Sequence, residues 1–158
     1  MGGRHLEMIV TGRGSDVEIV LTGFISERAE MDPARVTGRG RCIIDAGGIL
    51  SINSFGVRTW VNFLDSICRT FTEVCIRRLP PVLVCQASMI PNFLGCARVE
   101  SFFTPWCCRE CGHETLKLQA FADHIPETGF CPECAGETEF DDIRDSYLAF
   151  REWVSRES

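Results

Sequence analysis

Two pairs of cysteines in the last third of the sequence have the spacing of metal ligands. Two residues separate Cys108 from Cys111 and Cys131 from Cys134, and 19 residues lie between the two pairs. This spacing allows each tight turn to direct two sulfur atoms at one ion, and two such turns are typical of a four-thiolate zinc site. We therefore predict one Zn²⁺ bound by these four cysteines. A complete set of four thiolates leaves no open coordination position, so the metal should be structural.

The residues themselves leave other ligand sets open. Cys107 competes with Cys108, although three residues separate it from Cys111 instead of two. His113 and His124 are further candidates, which four available thiolates make unnecessary. A redox-active pair would open a helix after a strand, whereas small residues directly follow both pairs here, so we favour zinc.

The segment that contains these cysteines is acidic. Between residues 108 and 140 there are two basic residues, Arg109 and Lys117, against seven acidic ones, and the whole chain has a net charge of −6. Binding to a phosphate backbone needs the opposite sign. We therefore predict a zinc ribbon that is a structural or protein-contact element, and keep a nucleic-acid-associated zinc protein as the alternative. No apolar run approaches the length of a membrane span, so no membrane is expected as a partner.

Five more cysteines stand singly among apolar residues. No signal peptide is recognisable, because the apolar stretch near the N-terminus is only three residues long. Buried free thiols are usual in a reducing cytosol. We therefore predict a cytoplasmic protein in which all five are reduced: Cys42, Cys68, Cys75, Cys85 and Cys96.

The first hundred residues alternate between strand and helix patterns, which favours an α/β layer. The clearest helix follows residue 56, where apolar side chains recur at helical spacing and should pack on a sheet: Val57, Trp60, Val61, Leu64 and Cys68. The predicted strands are 6–10, 17–21, 41–45, 73–79 and 97–103. The turn-forming residues 11–16 should join the first two strands as a hairpin. The other predicted helices are 26–36, 82–89 and 143–154, and the last of these should dock through an aromatic face.

The turn that precedes the long helix carries a recognisable pattern. A buried strand ends at Asp45, an apolar residue follows about six places later, and the helix begins at residues 53–56, Asn-Ser-Phe-Gly. Together with the early strand and glycine at residues 17–23, this resembles STAS domains, the anti-sigma-factor antagonists and their relatives. The resemblance covers residues 6–103.

The resemblance implies a switch at the start of the long helix. The family's phosphorylated serine corresponds to Ser54, and the adjoining partner surface to Asn53, Phe55 and Gly56. A serine kinase, an anti-sigma factor or another STAS protein would then be the partner. The family has aspartate where this chain has Asn53. The residues alone equally predict that Ser54 or Asn53 is simply the N-cap of the helix.

These observations predict an α/β protein with three parts. Residues 1–104 form a STAS-like mixed sheet with helices, residues 105–140 a zinc ribbon, and residues 141–158 a terminal helix. No histidine has a neighbouring serine or cysteine that suggests a nucleophile–base pair. We therefore predict a non-enzymatic regulatory module that binds a protein partner, with a homo-oligomer left open.

Overall fold

A five-stranded mixed sheet opens the fold in the computed structural model, which describes residues 5–157, with side chains up to residue 154. Its elements are β1 (Leu6–Arg13), β2 (Asp16–Ile25), β3 (Arg41–Ile52), α1 (Ser54–Thr70), β4 (Glu73–Arg77), α2 (Pro81–Met89) and β5 (Arg98–Val99). The strand order β1-β2-β3-β4-β5 follows the chain order. β1 and β2 form the predicted antiparallel hairpin, and every later strand of this sheet runs parallel to its neighbour.

One face of this sheet carries the main core. On β3, Cys42, Ile44 and Ala46 are fully buried, whereas the residues between them are only half-buried. This alternation is expected of a strand with one covered face. Trp60 and Leu64 of α1 belong to the same buried cluster. The predicted α/β class is therefore confirmed.

The apolar face of α1 is slightly wider than the spacing predicts. Val57, Val61 and Cys68 are half-buried and pack against the core. Phe63, which the prediction omits, is buried. The helix therefore packs on the sheet through a broad stripe, as core-facing helices commonly do.

β3 continues beyond the turn that the sequence predicts, and it ends only at Ile52. Two glycines that suggest a turn instead allow close packing within the strand. A Cβ on Gly48 would lie 2.5 Å from Cγ2 of Thr22, and one on Gly47 would lie 2.6 Å from Cζ of Arg78. Glycine inside a strand often marks such an approach. The longer strand leaves a single residue before α1.

The prediction of a helix over residues 26–36 is wrong. Only Pro33–Arg35 forms one turn of 3-10 helix, and its N-cap is Asp32. Proline has no N–H to donate inside an α-helix, which limits helical structure around it. Val36, at the end of the segment, is buried and fixes it to the core.

The single strand predicted over residues 97–103 is divided between two sheets. β5 pairs with β4, and Glu100 then donates its N–H to the Ile76 carbonyl at 2.8 Å. The chain continues as β6 (Ser101–Cys108), which belongs to the second sheet. Periodicity cannot reveal this division, because both halves keep an extended backbone.

The second sheet is antiparallel, with the order β7-β6-β9-β8. β6 runs across the predicted boundary between residues 104 and 105. Trp106 of β6 is fully buried and belongs to the same core cluster as the first sheet. The remaining strands are β7 (Glu114–Ala120), β8 (Thr128–Phe130) and β9 (Glu137–Phe140).

The predicted terminal helix is present as two short helices, α3 (Arg144–Tyr147) and α4 (Phe150–Glu157). Tyr147 and Phe150 are buried, which confirms docking through aromatic side chains. Ser88 of α2 joins both helices, because its hydroxyl donates to the Tyr147 carbonyl at 2.7 Å and accepts the Phe150 N–H at 3.1 Å. Within residues 5–157, no helix has the length and apolar character needed to cross a bilayer.

Two of the five scattered cysteines form a disulfide, contrary to the prediction. Cys68 near the end of α1 is bonded to Cys96 in the segment before β5, with a Cα–Cα distance of 6.0 Å. Their separation of 28 residues gives no local signal for pairing. The other three remain free thiols.

Candidate functional site

The predicted cysteine quartet comes together at one end of the second sheet: Cys108, Cys111, Cys131 and Cys134. All four sulfur atoms lie within 4.8 Å of one another. The sulfur atoms of Cys108 and Cys134 are 3.5 Å apart, and those of Cys111 and Cys131 are 3.6 Å apart. Sulfur atoms around a tetrahedral zinc ion lie roughly 3.8 Å apart, given Zn–S bonds of about 2.3 Å. The cluster can therefore hold a metal ion.

The two turns that carry these cysteines have equivalent backbone geometry. The N–H of Gly112 donates to the Cys108 carbonyl at 3.0 Å, and that of Ala135 donates to the Cys131 carbonyl at 2.9 Å. Gly112 has φ 76° and Ala135 has φ 63°. The left-handed region is costly for a residue with a Cβ. Ala135 nevertheless adopts it in the second turn, where its N–H is bonded to the Cys131 carbonyl. Each CxxC segment thus forms the same tight loop around its sulfur atoms.

Backbone amides donate to sulfur atoms of the quartet, and at Cys108 they stabilise the charged form. Cys108 Sγ accepts the N–H groups of Cys111 at 3.5 Å and Glu110 at 3.4 Å. The hydrogen bond from Cys111 is the largest cause that lowers the pKa of Cys108, which falls to about 6. The lowered pKa favours the thiolate, the form that binds metals. The Cys131 Sγ accepts a hydrogen bond from the Glu133 N–H at 3.4 Å.

The alternative ligands lie outside the quartet. Cys107 precedes Cys108 on β6, and because successive side chains alternate along a strand, its sulfur points to the other face, 3.8 Å from the Gly112 carbonyl. His113 faces the Glu133 carboxylate, with Nε2 4.0 Å from the nearest oxygen. His124 is exposed and is not among the grouped residues.

The two basic residues of this segment already have partners. Arg109 forms ion pairs with Glu137 at 3.5 Å and Glu139 at 3.0 Å. The Lys117 ammonium lies 5.2 Å from the centroid of the Trp106 ring. The remaining carboxylates give the surface around the quartet a negative charge, which is unfavourable for contact with phosphate.

A second group of predicted residues surrounds the N-terminus of α1. Asn53 is the N-cap, and its Oδ1 accepts the Gly56 N–H at 2.8 Å. Its carbonyl accepts the Val57 N–H at 2.9 Å. Ser54 is the first helical residue and is exposed, so it is not the cap. Phe55 is 67% exposed, whereas Gly56 is buried, and a Cβ there would lie 1.9 Å from the Ile25 carbonyl oxygen.

Replacing Asn53 should therefore destabilise the protein more than replacing Ser54. Asn53→Ala removes the side-chain cap and should lower the free energy of unfolding by about 1 kcal/mol. Ser54→Ala should change it by less than about 0.5 kcal/mol, as exposed substitutions without a special role do. Urea unfolding followed by circular dichroism measures both. Equal losses for the two variants would contradict the assignment of the cap.

No pattern in the sequence predicts a carboxylate beside this helix end. Glu27 Oε2 accepts a hydrogen bond from Nδ2 of Asn53 at 2.8 Å. That hydrogen bond is the largest cause that lowers the pKa of Glu27. The sequence predicts a helix over the residues around Glu27. The contact with Asn53, 26 positions away, is therefore visible only in the folded chain. The side chain of Asn53 is thus hydrogen-bonded to a carboxylate. The STAS pattern has an aspartate, and therefore a carboxylate, at the position of Asn53 itself.

The chain matches no protein-family model, no curated protein and no solved structure. The STAS resemblance therefore rests on the motif alone. The α/β architecture and the metal-binding-capable cysteine cluster are established by the structure itself.

Proposed function

We propose that this protein is a non-enzymatic regulatory module that binds a protein partner through the N-terminus of α1 and contains a structural zinc ion. The observation that carries the proposal is the exposed apolar surface at this helix end. Phe55 is 67% exposed and Leu50, near the end of β3, is 66% exposed. Large apolar side chains that are this exposed are candidates for a contact surface.

The order of the strands supports a STAS-like interpretation of this surface. An antiparallel hairpin leads into parallel strands, and the sheet order follows the chain order. The ends of β2 and β3 and the start of α1 thus meet at one edge. Ligands of open α/β sheets commonly bind at the carboxyl ends of the strands.

Phosphorylation of Ser54 is the switch in this proposal. The hydroxyl is exposed at the first helical position, where a kinase can reach it. A phosphate would benefit from the positive end of the helix dipole. It would also add a charge of about −1.5 to −2 close to Glu27 and to the exposed Phe55. The added charge would change an apolar contact surface into a charged one.

The metal in this proposal is Zn²⁺ with a structural role. Four thiolates at tetrahedral separations suit zinc, and a closed set of protein ligands leaves no position for substrate. The cluster joins the end of β6 to the turn between β8 and β9, so the ion would fix the second sheet. The predicted cytoplasmic location also belongs to this proposal, and there the Cys68–Cys96 pair would face a reducing environment.

A comparison of two substitutions at Ser54 tests the switch. We expect Ser54→Asp to reduce capture of the partner from native cytosol, while Ser54→Ala retains it. Asn62→Asp is the matched control, because Asn62 is exposed and lies two turns further along α1. Affinity capture with quantitative mass spectrometry measures all four proteins, including the wild type.

The expected partner is a serine kinase, an anti-sigma factor or another STAS protein. If Ser54→Asp, Ser54→Ala and Asn62→Asp all capture the same proteins as the wild type, the helix end is not the regulated surface. Mass spectrometry of the protein purified from its own cells should in addition find phosphate on Ser54.

A further inference from the structure

A cavity of about 360 Å³ lies where β4 and β5 of the first sheet meet the C-terminal part of the chain. β4 contributes Cys75 and β5 contributes Arg98 and Val99, whereas Phe121 follows β7 and Val154 lies on α4. Binding sites for small molecules commonly have this volume, a mostly apolar lining and a position between two structural units.

The walls of this cavity are held in place by hydrogen bonds. The Phe121 N–H donates to the Glu100 carbonyl at 3.0 Å, which fixes the turn after β7 to the sheet edge. The Arg151 guanidinium of α4 donates to the carbonyls of Phe121 at 3.4 Å and Asp123 at 2.9 Å. The apolar side of the cavity is therefore preformed.

The opposite side of the cavity has one more guanidinium group than carboxylates. Its lining contains Arg41, Arg98 and the carboxylate of Glu100. Glu73 accepts a hydrogen bond from Arg98, and Glu100 lies 3.4 Å from Nε of Arg77. Among the described residues Arg41 has no such close carboxylate, because its Nε is 3.8 Å from Glu73. Its side chain is 42% exposed, so an anionic ligand can approach this guanidinium group.

A thiol lies between the two sides. Cys75 is 4% exposed, and burial raises the pKa of its thiol, so the group is neutral at physiological pH. It therefore adds a weak S–H donor and no negative charge that would repel an anion.

We propose that this cavity binds a small carboxylic acid with an apolar body. The carboxylate is bound by Arg41 and Arg98, and the apolar body packs on Val99, Phe121 and Val154. Guanidinium groups bind carboxylates through paired charge-assisted hydrogen bonds, which gives the site its preference for this head group. The site is separate from the N-terminus of α1 and from the cysteine quartet, so it is independent of the function proposed above.

Octanoate is the probe for this proposal, with 1-octanol and octylammonium as comparison compounds of the same chain length. In a titration followed by ¹H–¹⁵N correlation spectra, octanoate should cause saturable shifts at Cys75, Val99 and Phe121. It should bind more tightly than octanol, and octylammonium should bind most weakly. Octylammonium binding as tightly as octanoate, or shifts confined to other regions, would overturn the proposal.

Two variants locate the head group and the body. Arg98→Gln should weaken octanoate binding by about tenfold, the usual effect of one charge-assisted hydrogen bond, and leave octanol binding unchanged. Arg69→Gln is the control, because Arg69 is exposed on α1 and pairs only with Asp65 among the ion pairs of the described chain. Val154→Phe adds volume inside the cavity and should abolish binding of both compounds. Unchanged octanoate affinity in a folded Arg98→Gln or Val154→Phe variant would place the ligand elsewhere.

Discussion

Cys111→Ala is expected to release the metal and to unfold the second sheet beyond β6. The two CxxC turns have little apolar packing of their own, since β8 and β9 have only three and four residues and most side chains around the quartet are exposed. In small metal modules the free energy of metal binding supplies most of the folding free energy. Elemental analysis of the wild type should give one zinc per chain, and the variant should give none.

Cys107→Ala is the matched control for this result. Cys107 lies on the same strand as Cys108 but outside the quartet, with its side chain on the opposite face. The Cys107→Ala variant should retain one zinc per chain and the amide spectrum of the wild type. In Cys111→Ala, amide signals from residues 109–140 should collapse towards random-coil positions while those of β2, β3 and β4 persist. A wild-type protein that is folded, fully reduced and metal-free would contradict the prediction of a zinc site.

Trp60→Ala is expected to lower the free energy of unfolding by about 3–5 kcal/mol, the range for truncating a large buried aromatic side chain. Trp60 is fully buried at the centre of α1. Its ring stacks on Phe93 with centroids 5.6 Å apart, and Nε1 donates to the Phe93 carbonyl at 2.9 Å. The substitution would therefore leave a cavity, an unstacked ring and a buried carbonyl without its donor.

Two further variants separate these contributions. Trp60→Phe keeps an aromatic ring but removes the donor, and it should cost less than the alanine variant, with about 1–3 kcal/mol from the unsatisfied carbonyl. Arg58→Ala, on the exposed side of the same helix, should change stability by less than about 0.5 kcal/mol. Urea unfolding gives all three values. A Trp60→Ala midpoint equal to that of the wild type would mean that this face of α1 does not carry the core.

The features that depend on local spacing could be predicted from the sequence. The CxxC pairs predicted which four cysteines come together, because a tight turn fixes the two sulfur atoms of each pair within a few residues. Helical periodicity predicted α1 and its buried centre at Trp60, and the turn residues between β1 and β2 predicted the hairpin. In each case neighbouring residues contain the information.

The features that join distant residues could not be predicted and are visible only in the folded chain. The glycines after Asp45 suggest a turn, but in the folded chain they lie in a strand, where their missing side chains leave room for Thr22 of β2 and for Arg78, which follows β4. The disulfide between Cys68 and Cys96, and the contact between Asn53 and Glu27, bring together residues more than 25 positions apart. Such contacts are fixed by the packing of sheets and helices on one core, and no periodicity within a single segment encodes them.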